Sequence, residues 1–400
     1  MSNRFFENKF NDYNGENYLD KNSGQLSEPF ASQITKWIQQ YSKKFEHEID
    51  DNDPSIYTGS TGIALLYMRL AFLFPTQQND YITKAKNLID SAIHQLNGKR
   101  ITFLCGDVGP LAVAAVIYNG LGDTKTVQKC VDQIVSMKNS VLSRSNPDEY
   151  LYGRAGYLYA LIFLRKEVSS EIIDSQLITD VFEYMIKSGE KYARHINSKS
   201  PLMYQWHDEE YLGAAHGVSG IIYLLLKVTS HESFSHLRPY IESHLLPTIE
   251  FLKSMKISSG NYLSSTNSHS DKLVQWCHGA SGFVFMFVRA YEVTGDTKYL
   301  QLATDAGDVV WQRGLLTKSY GLCHGTAGNG YVFLNLFRVT QDMRWLHRAV
   351  KFAEFCLEYD KHRLSRQPDH PLSLFEGLAG TIYFMADMVN PKHARFPGFE

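Results

Sequence analysis

The sequence predicts an all-α fold, a seven-fold α/α toroid of inner and outer helices forming a single domain over residues 1–400. Three observations carry that expectation: a Gly-x-x-Gly pattern that recurs seven times, an apolar segment after each copy, and an amphipathic segment that generally follows. The first glycines are Gly59, Gly106, Gly153, Gly217, Gly279, Gly325 and Gly377, separated by 47, 47, 64, 62, 46 and 52 residues. One such pattern carries no information; seven at near-regular spacing mark a repeat. In chain order, the apolar runs include IALLYMRLAFLF (63–74), LAVAAVIY (111–118), YLYALIFLRKEV (157–168), IIYLLLKV (221–228) and FVFMFVRAYEV (283–293). With so few polar breaks, each reads as a helix buried nearly all round. The outer partners are plainest late in the chain, where TGD (294–296) marks a turn. There DTKYLQLATDAGDVVWQRG (296–314) and DMRWLHRAVKFAEFCLEYD (342–360) set charges opposite an apolar stripe. An open solenoid would leave the inner helices facing water, whereas closure buries them. The glycines, lacking Cβ, are expected to let the inner-helix starts crowd toward the axis.

Length alone would suggest two or three domains, unless repeats build one. A chain that is 44% hydrophobic and 13% aromatic can fill a large core, which excludes disorder. Forty Lys and Arg balance 42 Asp and Glu, leaving no field to hold a nucleic-acid backbone, so no nucleic-acid partner is expected. The opening MSNRFFENKFNDYNGENYLDKN has no apolar core, and runs such as LAVAAVIY are too short to span a bilayer. A cytoplasmic protein without a transmembrane segment is expected. Ser2 stands where N-myristoylation requires glycine. Five scattered cysteines fit reduced thiols or metal ligands better than disulfides.

The residue before each first glycine is Thr58, Cys105, Tyr152, His216, His278, His324 or Glu376, all polar or ionisable. Closure would set these around one end of a central funnel, where a site is expected. The longer spacings flanking Gly217 leave room for SPLMYQWHDEEYLGAA (200–215) to wall or cap it. Cys-His-Gly occurs twice, at equivalent places in adjacent repeats, which makes Cys277, Cys323 and His324 neighbours in space. Two thiolates and an imidazole suit zinc, and three protein ligands leave the open position of a catalytic site. By the same symmetry His278 is an alternative fourth ligand that would close it. Cys105, Cys130 and Cys356 read as buried structural thiols.

Zinc held by two thiolates and a neutral imidazole lowers the pKa of an added thiol yet keeps its sulfur nucleophilic, so thiol activation fits better than hydrolysis. Activating the acceptor needs an acid or cation, for which Lys318, His216 and Asp107 are candidates. Zinc prenyltransferases on toroids normally include a carboxylate in the metal set. Inverting glycosidases need paired carboxylates; HDEE (207–210) supplies acids but reads as a solvated turn.

The stretches ITFLCGDVGPLAVAAVIY, SPLMYQWHDEEYLGAAHGVSGI, WCHGASG, YGLCHGTAGNGY and SLFEGLAGTIYFMADM resemble the eukaryotic LanC-like proteins, relatives of bacterial lanthionine synthetase C cyclases. The resemblance covers essentially the whole chain. It implies an α/α toroid with central zinc, glutathione binding, and addition of glutathione to dehydroalanine or dehydrobutyrine residues, which arise by elimination from phosphorylated Ser or Thr. It places the zinc ligands on Cys277, Cys323 and His324, and residues near glutathione or the chemistry on Arg4, His216, Lys318 and Arg366, with Arg363 a competing alignment. Asp107 matches an aspartate implicated in the bacterial cyclases. Those cyclases resemble Trp-Cys-Tyr-Gly where this chain has Trp-Cys-His-Gly, so lantibiotic cyclisation is not implied. A non-catalytic redox sensor or adaptor that binds glutathione and zinc would need the same binding residues and is the alternative function.

Overall fold

The computed structural model describes residues 4–46, 49, 52–362, 364 and 367–400. Among these, every regular element is helical and β-pairing occurs only as isolated bridges. The inner helices are Ser60–Leu73, Val108–Gly120, Arg154–Glu167, Val218–Thr229, Ala280–Thr294, Thr326–Thr340 and Leu378–Met388. Each contacts the next, and the last contacts the first, so the ring closes as an α/α toroid. Closure removes water from every side: in Thr326–Thr340 all residues from Thr326 to Phe337 are buried. The first outer helix keeps a single buried stripe: Gln78–His94 buries Tyr81, Ala85, Ile89 and Ala92, at helical spacing. Four outer helices start on an aspartate: Asp123, Asp174, Asp296 and Asp342 each accept a first-turn amide at 2.9–3.0 Å.

The last repeat departs from the inner-then-outer order. The helix packed against Leu378–Met388 is Phe30–Ser42, drawn from the sequence before the first repeat. The two ends of the described chain thus complete the ring together.

The paired glycines act at two contacts: the expected one between neighbouring repeats, where a Cβ on Gly62 would stand 2.9 Å from Leu374 Cβ and one on Gly282 2.9 Å from Ala214 Cβ, and a closer one within each repeat. The loop entering each inner helix folds back over the helix start, and first-turn amides donate to carbonyls seven residues earlier. Ser60 donates to Asp53, Val218 to Tyr211, Thr326 to Ser319 and Leu378 to Pro371, at 2.8–3.3 Å. A Cβ on the second glycine would meet the carbonyl oxygen six residues back, at 2.2 Å for Gly62, 1.9 Å for Gly109 and 1.8 Å for Gly328. The glycines therefore admit each repeat's own loop, and that loop carries the candidate ligands.

Beneath those loops the bore is filled by residues near the end of the sequence. The Phe399 ring is fully buried, stacked 4.3 Å from Tyr223 and edge-on to Trp276 and Phe285 at 5.3 and 5.7 Å. Trp276 precedes Cys277, so this aromatic cluster is the floor under one cysteine. Phe399→Ala is expected to cost about 3–5 kcal/mol, the range for emptying a buried aromatic site. Guanidinium unfolding measures it, and a loss below about 1 kcal/mol would show that the ring is not part of the core.

Candidate metal centre

One position before the polar ring, Tyr57, Leu104, Leu151, Ala215, Cys277, Cys323 and Phe375 share a register. Backbone hydrogen bonds join several of these loops around the axis. The Cys277 amide donates to the Cys323 carbonyl (3.3 Å), Cys323 to Phe375 (2.8 Å), Phe375 to Tyr57 (3.1 Å) and Tyr57 to Leu104 (2.9 Å). Two cysteines 46 residues apart in sequence are thus one hydrogen bond apart in space.

The ligand atoms of Cys277, Cys323 and His324 lie within 4.8 Å of one another, and all three residues are buried. His278 is not a member of that group among the described residues. A hydrogen bond from Cys323, reinforced by His278 and His324, holds the Cys277 thiol well below the ordinary thiol range, while burial and the adjacent sulfur push Cys323 up. Two buried sulfurs that part with only one proton readily form a donor set completed by a divalent cation, and the Cys2His composition fits zinc.

Two supports for the sulfurs were not read from the sequence. The Gln275 side-chain amide donates to Cys277 Sγ at 3.2 Å. The Tyr57 phenol hydrogen-bonds Cys323, and its pKa is raised by burial and by both cysteines, so it stays protonated and donates. Tyr57 holds the register position of the two cysteines, which is the signal that would have found it.

Nearby, His216 Nδ1–H donates to the Glu149 carboxylate at 2.7 Å, and that carboxylate, 1% exposed, also accepts the amides of Leu151 and Tyr152. With Nδ1–H engaged in this bond, the neutral ring carries its lone pair on Nε2. Nothing in the sequence marks Glu149: it belongs to the preceding repeat, and its neighbour Asp148 is an equal candidate until the fold commits Asp148 to Arg154 at 2.8 Å. The His278 ring lies 6.5 Å from His216, and burial lowers its pKa against the opposing pull of Cys277.

Lys318 is half-buried, and its charge acts on both His278 and Cys323. The Thr317 amide donates to the Arg4 carbonyl at 3.1 Å and the Phe6 amide to the Leu315 carbonyl at 2.7 Å, which brings exposed Arg4 alongside the Lys318 loop. Asp107 is buried at the start of the second inner helix, its carboxylate 3.5 Å from the Arg100 amide. Arg366 and the competing Arg363 lie outside the described residues. Within HDEE, Glu210 is tied down by the Tyr192 and Thr266 hydroxyls at 2.6 and 2.8 Å, a structural role.

The sequence profile described as "Lanthionine synthetase C-like protein" matches residues 50–400. The chain is 40% identical to the Danio rerio protein named "Glutathione S-transferase LANCL1", over 99% of each chain. Among solved structures, "Nisin cyclase" superposes with a TM-score of 0.64 at 15% identity, covering 90% of this chain and 94% of that one, a likeness of fold. No helix among the described residues is long and apolar enough to cross a membrane. The chain belongs to the lanthionine synthetase C-like family.

Proposed function

We propose that this protein is a zinc-dependent, cytoplasmic glutathione transferase that adds the glutathione thiol to dehydroalanine and dehydrobutyrine residues of peptides and proteins. The observation that carries the reading is the buried Cys277–Cys323–His324 donor set with His216 and Lys318 on hand. The name of the 40% identical relative supports glutathione as the thiol.

Zinc bound by this set would supply a thiolate at neutral pH that is still nucleophilic. Lys318, with Arg4 and Arg366, binds glutathione carboxylates, the arginines in bidentate pairs. The His216 Nε2 lone pair, oriented by Glu149, accepts the thiol proton. Sulfur then bonds Cβ, the Cα=Cβ π pair moves to Cα and the amide oxygen, and Lys318 stabilises that oxygen. A proton returned to Cα from His216 completes a thioether, with atoms balanced and no oxidant required. Asp107 contributes by setting the loop of the second repeat through Arg100.

The test is mass spectrometry of a dehydroalanine peptide incubated with glutathione and the purified chain. Enzyme-dependent adduct is expected. Glu149→Gln should slow it about 100-fold, the lower range for disabling an acid–base group, and displace the acidic limb of the pH–rate profile. Lys318→Ala should lose both glutathione affinity and rate. Zinc and glutathione bound without adduct above the uncatalysed background would overturn the transferase reading in favour of a sensor.

A further inference from the structure

A strip of aromatic rings runs from solvent to the candidate metal centre. Tyr152, 43% exposed, is one of few large exposed hydrophobics among the described residues. Its ring lies 5.6 Å from Trp206 and 6.3 Å from His216, and Trp206 lies 6.4 Å from His216. The three planes agree within 18°, so their centroids form a near-equilateral triangle of rings sharing one orientation. Tyr211 continues the strip, 6.0 Å from His216 and 5.6 Å from His278, which adjoins Cys277.

The backbone holds this arrangement under strain. Trp206 and Glu209 exchange amide–carbonyl bonds at 3.0 and 3.1 Å across a two-residue turn. The turn residues are His207 (φ 48°) and Asp208 (φ 59°), both in the left-handed region, where glycine or asparagine would be at ease. Strained backbone persists where its surroundings impose it, and here it fixes Trp206 against Tyr152 at the edge of the site.

A flat group parallel to one of these rings is parallel to all three. A saturated residue offers only its separate amide planes, because tetrahedral Cα breaks the plane between them and projects hydrogen and side chain out of it. A dehydroamino acid does: its Cα is trigonal and conjugated with both flanking amides. We infer that Tyr152 and Trp206 form the docking wall for the peptide substrate and select the planar unsaturated residue over its saturated counterpart, delivering Cβ toward the thiol. This inference rests on the function proposed above and names how the acceptor is recognised.

The test is fluorescence anisotropy with two labelled decapeptides, identical except for dehydroalanine or alanine at the centre, titrated with zinc-loaded protein without glutathione, so that no reaction occurs. The dehydroalanine peptide should bind about tenfold tighter, within the range of favourable aromatic stacking. Tyr152→Ala and Trp206→Ala should each remove most of that preference, and Trp206→Phe should restore it, with zinc content and glutathione affinity unchanged. Equal affinity for the two peptides overturns the inference, as does an undiminished preference in Tyr152→Ala, which alters a surface side chain and stays informative if Trp206→Ala fails to fold. A preserved preference without turnover on adding glutathione would sink the transferase reading and leave the wall standing; turnover without preference would do the reverse.

Discussion

Cys323→Ala is expected to leave less than about a tenth of an equivalent of zinc per chain after dialysis and to slow glutathione addition at least ~100-fold, beyond the 10- to 100-fold typical of losing a residue that merely supports a ligand. The argument is one of donor count. Cys277 and His324 alone would leave zinc two protein ligands, short of the three that catalytic sites hold. The fold should survive, because Cys323 enters the inter-loop ladder through its backbone: its amide meets Phe375 and its carbonyl accepts from Cys277, and alanine keeps both. Cys356→Ala is the matched control. That thiol is fully buried in the outer helix Met343–Leu357, with its pKa raised by burial alone, so zinc should be retained. Plasma mass spectrometry for zinc with circular dichroism decides the matter. A full equivalent of zinc in Cys323→Ala would remove Cys323 from the ligand set.

What was legible in the sequence followed from periodicity. Seven Gly-x-x-Gly copies are enough to expect a toroid, and the doubled Cys-His-Gly is enough to bring three donors together, because a repeat turns sequence register into spatial adjacency. What register does not encode stayed hidden. The partner of His216 is Glu149 from the neighbouring repeat, chosen over Asp148 only because Asp148 is taken by Arg154. Arg4 reaches the Lys318 loop through a backbone hydrogen bond to Thr317, which no side-chain pattern announces. Tyr57 is the instructive case: it occupies the cysteine register and donates to Cys323, yet a search for like residue types passes over a phenol standing where two thiols stand. The outer partner of the seventh inner helix, supplied by Phe30–Ser42, also breaks the order of the repeat.

The role found for the glycines predicts opposite signs for two otherwise similar substitutions. At Gly328 an added Cβ would stand 1.8 Å from the Leu322 carbonyl oxygen and 2.7 Å from its carbon, both backbone atoms with no rotamer to adopt. The loop must lift, and Leu322 is bonded directly to Cys323, so the displacement passes to a candidate ligand. Gly328→Ala is therefore expected to destabilise by about 3 kcal/mol, the upper end for overpacking a close contact, and to weaken zinc binding about 10- to 100-fold although no donor atom has changed. Gly120 ends the inner helix Val108–Gly120, and a Cβ there meets nothing within 4 Å. Gly120→Ala should stabilise by about 0.4–1 kcal/mol, by restricting the unfolded chain, with zinc affinity untouched. Denaturant midpoints together with competition against a zinc chelator test both. If Gly328→Ala kept wild-type zinc affinity, the loop would be absorbing the insertion without moving Cys323. The second glycine would then serve stability alone, and the coupling argued between repeat geometry and metal site would fail.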